Sequence, residues 1–444
     1  MSKKVYIETY GCQMNVSDSE LIATILTHHN FNITHNIKEA EVILINTCSI
    51  RDNAEQRIHK RISQLQHLRK KNRSLRIGII GCMAERMGES LFEKKGFVNF
   101  LAGPDGYRNI STLIETSENQ RVADILLSHT ETYEDILSEK ILDTGISAFV
   151  PIMRGCENFC TYCVVPFTRG KERSRPSSSV LNEIESHAAQ NIREITLLGQ
   201  NVNSYMSSEH GQDIDFSDLL EIAARKFPKI RFRFATSHPK DISDKLLYVI
   251  AANENICKSV HLPMQSGSSQ ILHRMNRKYT REWYLERISA IKRIIPDCTV
   301  STDIIVGFCG ETEDDHQQTL TAMEEAGFFL AYMFKYSERP GTAAAKVLND
   351  DVSEEQKTKR LNEVINLQQT LSKRNNQGDV GKIFEVLVEN VSKRNEQELM
   401  GRSSQNKVIV FPGKLSDYPA GSLVTVKVIG FTSATLKGKI TVNP

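Results

Sequence analysis

Sulfur carries the most specific chemistry in this chain. Arg154-Gly155-Cys156-Glu157-Asn158-Phe159-Cys160-Thr161-Tyr162-Cys163 sets three cysteines in C-x3-C-x2-C spacing. Three thiolates this close can wrap one face of a cubane iron–sulfur cluster and hold three of its four irons. The fourth iron then lacks a local protein ligand, and an open iron can chelate a small molecule through an amine and a carboxylate. A closed zinc site would need a fourth ligand, and none lies nearby in sequence.

A second trio is dispersed. Cys12, Cys48 and Cys82 each stand just past an apolar run that reads as a strand, in Tyr10-Gly11-Cys12, Asn46-Thr47-Cys48 and Ile80-Gly81-Cys82. Ligands of an open parallel sheet bind beyond the carboxyl ends of its strands, so three cysteines at such ends converge on one spot. Gly11 and Gly81 allow close backbone approach there. Again three thiolates are offered, so a second cluster with an open iron is expected. Cys257, Cys298 and Cys309 share no such pattern and read as small core residues.

The elements that must position these thiols are legible. Lys4–Thr9, Glu41–Asn46 and Arg76–Ile80 read as strands, alternating with helices over Ser17–His28 and Asp52–Leu68. That alternation argues for an open α/β sheet. After a polar stretch, Glu115–Lys140, that reads as a linker or arm, six further strands are expected. They are Ala148–Met153, Glu194–Leu198, Arg231–Ala235, Ser259–Leu262, Thr299–Val306 and Phe329–Tyr336, with helices between them. This reads as a partial (β/α)6 barrel, whose chemistry belongs at the carboxyl ends of the strands. A long amphipathic helix, about Ser353–Arg374, closes the segment. From Gly378 onward, strict alternation such as Val424, Val426, Val428 and repeated glycines predict a small antiparallel β-barrel. The expected domains are 1–118, 142–374 and 376–442.

Composition narrows the partners. Lys and Arg number 56 against 54 Asp and Glu, so any polyanion-binding patch must be local. Gln56–Arg76 holds eight Lys or Arg and no acid. Its basic face is either a solubilising or an RNA-backbone surface. Arg169, Lys171, Arg173 and Arg175 follow the cysteine loop and read either as a solvated charge run or as contacts to phosphate. The C-terminal segment carries nine Lys or Arg against six acids. No apolar run reaches the ~20 residues of a membrane span, and no secretory signal is read at the start. A cytoplasmic location with reduced thiols is expected.

The chain resembles the methylthiotransferase family of radical S-adenosylmethionine (radical SAM) enzymes. The resemblance rests on Tyr10–Asn15, Asn46–Arg51, Gly81–Arg86, Cys156–Cys163, Pro166–Gly170, His261–Ser268 and Tyr336–Thr342. The C-terminal segment is similar to a TRAM domain, an RNA-binding barrel. The resemblance implies two 4Fe–4S clusters, one on Cys156, Cys160 and Cys163 that chelates SAM, and an auxiliary one on Cys12, Cys48 and Cys82. It offers Tyr162, Gly199, Gln200, Asn201, Ser237 and Gln265 as SAM-side residues. Cys48-Ser49-Ile50-Arg51, with Ala54-Glu55 following, is similar to the subgroup that methylthiolates carbon 2 of N6-isopentenyladenosine at position 37 of tRNA. There one SAM gives the methyl group and another the radical. The implied partners are a tRNA anticodon stem-loop, a flavodoxin- or ferredoxin-type reductant and a sulfur or cluster donor, acting on a monomer. The alternatives are methylthiolation of another tRNA base or of a ribosomal protein, and a non-catalytic iron–sulfur RNA-binding protein.

Overall fold

A computed structural model describes residues 2–49, 52–142, 145–209 and 211–441. Ile50 and Arg51, part of the subgroup motif, lie outside the described residues. Among the described residues, no helix is long and apolar enough to cross a membrane.

The amino-terminal part is a six-stranded sheet with every pairing parallel. The strand Val42–Thr47 is buried on both faces, as its unbroken apolar run requires. Val42 and Leu44 face one core with Leu21, Ile22, Ile25 and Leu26 of the helix Gln13–His28. Ile43 and Ile45 face another with Ile58, Ile62 and Leu65 of the helix Asp52–Lys71. This strand lies between Lys4–Thr9 and Arg76–Gly81, so the three strands that precede the dispersed cysteines are neighbours. The polar stretch after Glu115 is more ordered than its composition suggests. It supplies the sixth strand, Val122–Asp124, and buries Tyr133 against Tyr107. A three-residue edge strand is too short to register as an apolar run.

The central part carries the six expected strands as two parallel trios. Arg231–Ala235, Glu194–Leu198 and Ser147–Pro151 form one sheet; Ser259–His261, Thr299–Val306 and Leu330–Lys335 form the other. A parallel bridge from Phe232 to Ile256 joins them, and one continuous apolar core fills the interior. The closing helix runs Glu354–Gln377; the Ser353 side chain caps it by accepting from the Gln356 amide.

The last five strands close a barrel. Four pairings are antiparallel, but Val408–Pro412 and Leu436–Ile440 pair in parallel. An up-and-down order cannot close on an odd number of strands, so one parallel seam is obligatory. This barrel docks on the amino ends of the central strands. Arg231 Nη1 donates to the Arg402 carbonyl (2.9 Å), Arg233 Nη2 to that of Ser403 (2.8 Å) and Thr299 Oγ1 to that of Gln405 (2.7 Å).

Candidate active site

The dispersed cysteines meet at the carboxyl edge of the first sheet. Cys12 sits between its strand and the helix Gln13–His28, Cys48 follows Val42–Thr47, and Cys82 opens the helix Cys82–Met87. A polar brace ties the three strand ends. Asn15 Nδ2 donates to Asn46 Oδ1 (3.0 Å) and to the Thr47 carbonyl (3.2 Å). Asn46 Nδ2 returns a bond to the Asn15 carbonyl (2.8 Å), and Thr47 Oγ1 reaches the Ile80 carbonyl (2.6 Å). Gly11 is required: a Cβ there would lie 2.7 Å from the Cys48 Cβ. Gly81 has φ +87°, and a Cβ would lie 2.7 Å from both Asn46 Oδ1 and the Thr47 carbonyl oxygen.

The thiols of this trio sense one another. A hydrogen bond with Cys48 is the main cause that lowers the Cys12 pKa to about 6; Arg169 and the amides of Asn15 and Met14 add to it, against desolvation. Burial pushes the Cys82 thiol up, and Arg169 opposes that shift.

The consecutive cysteines lie on a loop held from three sides. The Gly155 amide donates to Gln200 Oε1 (2.5 Å) and the Cys156 amide to the Gly170 carbonyl (3.1 Å). Thr161 bonds the carbonyls of Met275 and Arg274, and Asn276 Nδ2 that of Phe159 (2.9 Å). Each sulfur has a donor: Asn158 Nδ2 to Cys156 (3.4 Å), Arg277 Nη1 to Cys160 (3.3 Å) and the Val165 amide to Cys163 (3.5 Å). Charge-assisted and amide donors of this kind favour a bound thiolate. Burial, followed by the Cys160 charge, pushes the Cys163 thiol up to about 12. A metal taken up by these thiols would have to displace the proton. No cysteine among the described residues is joined in a disulfide. Among the described residues no group of three or more His, Cys, Asp or Glu is arranged around a single ion. A cubane differs in this respect, because its thiolates bind separate irons.

Gly155 gives a direct test of the loop. It has φ +82°, and an added Cβ would lie 1.8 Å from the Lys171 carbonyl oxygen. Gly155→Ala is expected to destabilise the chain by about 1–3 kcal/mol and to lower iron uptake at Cys156–Cys163 alone. Thermal unfolding and iron analysis of the reconstituted variant check it.

The proposed SAM-side residues divide. Ser237 Oγ and Gln265 Oε1 are buried without a hydrogen-bond partner, and Gln265 adopts φ +71°. Buried orphan groups of this kind fit a polar ligand. Gln200 is engaged by Gly155, whereas Asn201 is committed to Asp241 Oδ2 (2.7 Å) and the His238 amide (3.1 Å). Gly199 leaves room for Met153, whose Cγ would lie 2.5 Å from a Cβ. Tyr162 packs edge-on against Phe308. His238 is held near pKa 2, mainly by burial, and accepts from the Lys240 amide; His261 bonds Ser301. Cys257 and Cys309 are buried, and Cys298 packs against the central core.

One expectation is corrected for three of its four residues, Lys171 being exposed. Arg169, Arg173 and Arg175 do not face phosphate. All three are buried and paired, with Asp18 (2.7 Å), Asp105 (3.0 Å) and Glu183 (2.5 Å) respectively. Two of those acids come from the amino-terminal part, so no local pattern could reveal them. The brace Asn15–Asn46, the donor Arg277 and the anchor Asp18 were likewise not singled out from sequence. Asn15 and Asn46 lie within the motifs, which was the available signal.

These features define a radical SAM protein with an added amino-terminal cysteine site and a C-terminal barrel. Residues 4–103 match Uncharacterized protein family UPF0004, residues 150–323 the Radical SAM superfamily, and residues 377–441 the TRAM domain. The radical SAM family implies a 4Fe–4S cluster and SAM. The chain is 52% identical over 438 residues to tRNA-2-methylthio-N(6)-dimethylallyladenosine synthase of Parabacteroides distasonis, covering 98% of this chain and 95% of that one. It is 49% identical to the synthase of the same name from Porphyromonas gingivalis, covering 100% and 96%. The radical SAM methyltransferase TsrM of Kitasatospora setae shares the fold, with a TM-score of 0.58 at 14% identity over 78% of this chain and 77% of that one. The chain belongs to the tRNA-2-methylthio-N(6)-dimethylallyladenosine synthase family.

Proposed function

We propose that this chain is the transferase that places a methylthio group on carbon 2 of N6-isopentenyladenosine at position 37 of tRNA. The observation that carries the reading is the pair of cysteine trios, one on each domain, flanking the short helix Val165–Arg169. Cys156, Cys160 and Cys163 would hold the SAM-chelating cluster, and Cys12, Cys48 and Cys82 a second one. When bound, these groups supply a 5′-deoxyadenosyl radical able to remove hydrogen from an unactivated C–H, and the sulfur for the new bond; no side-chain acid or base offers this.

The residues then have separate tasks. Arg277 and the Asn158 and Val165 donors orient the thiolates of one trio, and the Asn15–Asn46 brace fixes the spacing of the other. Ser237 and Gln265 offer buried polar groups to SAM; Tyr162, Gly199, Gln200 and Asn201 shape the same strand ends. The adenosine of a single-stranded loop can be splayed into a pocket without opening a helix. The C-terminal barrel lies at the opposite strand ends, about 25 Å away for an eight-residue strand. That position would suit it to grip the stem backbone. The units 1–118, 142–374 and 376–442 would thus serve sulfur supply, radical chemistry and RNA grip. A flavodoxin- or ferredoxin-type reductant, a sulfur or cluster donor and a monomeric state complete the proposal.

Nucleoside analysis of a deletion strain tests it. Isopentenylated adenosine should accumulate without its methylthio group, and retention of that group would refute the substrate. A second test concerns the basic helix, where Lys60, Lys70 and Lys71 are exposed. Their joint replacement by Glu should weaken tRNA binding and reduce the slope of log affinity against log salt by about two to three. Binding assays across a salt series read this directly.

A further inference from the structure

A buried charge cluster links the two cysteine sites. Asp18, on the helix that begins after Cys12, is fully buried. Its Oδ1 takes Arg154 Nη2 (2.9 Å) and its Oδ2 takes Arg169 Nη2 (2.7 Å). Arg154 stands two residues before Cys156. Arg169 ends the short helix Val165–Arg169, whose first amide donates to Cys163. Both flanks of the radical SAM loop are therefore fastened to the helix that follows Cys12.

Two guanidinium groups on one carboxylate leave a net positive charge in a buried place. The other groups that face it are the phenols of Tyr107 and Tyr133 and the thiols of Cys12 and Cys82. Tyr133 lies under Arg154 (4.6 Å to the ring centroid), and Tyr107 sits 3.5 Å from Asp18. Burial keeps both phenols protonated, so neither supplies the missing negative charge. Buried charge without a partner is costly. Arg169 Nη1 is buried with no hydrogen-bond partner at full geometry, and the guanidinium interacts with Cys82 and Cys12.

We infer that Arg169 is a positioning residue for the amino-terminal site, anchored on Asp18 so that its other arm is the charged donor to the anionic sulfur held by Cys12, Cys48 and Cys82. This rests on the reading that those cysteines hold a cluster. A positive charge there favours the reduced, more negative form of the cluster and raises its potential. Arg154 also has buried nitrogens without a partner, but it lies over the Tyr133 ring, and Arg169 is the arginine that interacts with Cys12 and Cys82.

The test uses the full chain with Cys156, Cys160 and Cys163 replaced by Ala, so that one cluster remains. Redox titration followed by electron paramagnetic resonance gives its midpoint potential. Arg169→Gln should shift it downward, Arg169→Lys should restore most of the shift, and Asp18→Asn should move it upward by leaving more positive charge. A purely structural clamp would give the same result for loss of either partner. An unmoved potential in Arg169→Gln, or equal shifts for Arg169→Gln and Asp18→Asn, would overturn the assignment alone. A parent chain that binds no iron after reconstitution would overturn the cluster reading and this assignment with it.

Discussion

Cys160→Ala should form neither 5′-deoxyadenosine nor methylthiolated tRNA. Cys160 is the central thiol of its loop, with a neighbour on each side in sequence and the buried Arg277 bonded to its sulfur. Its removal takes one of three ligands from the cluster and leaves that guanidinium facing no anion. Two thiolates cannot cap a cubane that already has one open iron. Both products should fall to background, because the radical and the transfer depend on the same reductive cleavage. Chromatography of an anaerobic incubation with SAM and dithionite reads the first product, and nucleoside analysis the second. Retained methylthio product would refute the role given to the loop.

Cys12→Ala should separate the two activities. Cys12 is the exposed member of its trio, hydrogen-bonded to Cys48, and belongs to a different domain from the radical SAM loop. Its loss should abolish sulfur insertion while cleavage of SAM stays measurable. The direct contacts that hold Cys156–Cys163 come from Gly170, Gln200, Arg274, Met275 and Asn276, and the link between the two sites runs through the Asp18 carboxylate, which Cys12→Ala leaves in place. Loss of both activities in a variant that keeps its fold and one cluster would contradict separate roles for the trios.

Much of this organisation was legible in the sequence. The trio of strands Lys4–Thr9, Val42–Thr47 and Arg76–Gly81 could be read because buried parallel strands are apolar on both faces. The cysteines at their ends then followed from topology. The C-x3-C-x2-C loop needed no structure at all. What escaped was long-range. Arg169 and Arg173 look like solvated charge when read against Glu172, and only the fold brings Asp18 and Asp105 to them. Arg277, 117 residues from Cys160, has no local signature. The strand Val122–Asp124 was hidden by its length and its polar flanks. The docking of the C-terminal barrel rests on side chains meeting backbone carbonyls, which leave no trace in a sequence pattern.

The most direct test of the account is iron and sulfide analysis with Mössbauer spectroscopy after anaerobic reconstitution. The wild-type chain should bind about eight irons as two 4Fe–4S clusters, and replacement of either cysteine trio by alanine should halve that number. A wild-type chain that saturates at about four irons, or a count that survives loss of Cys12, Cys48 and Cys82, would contradict it.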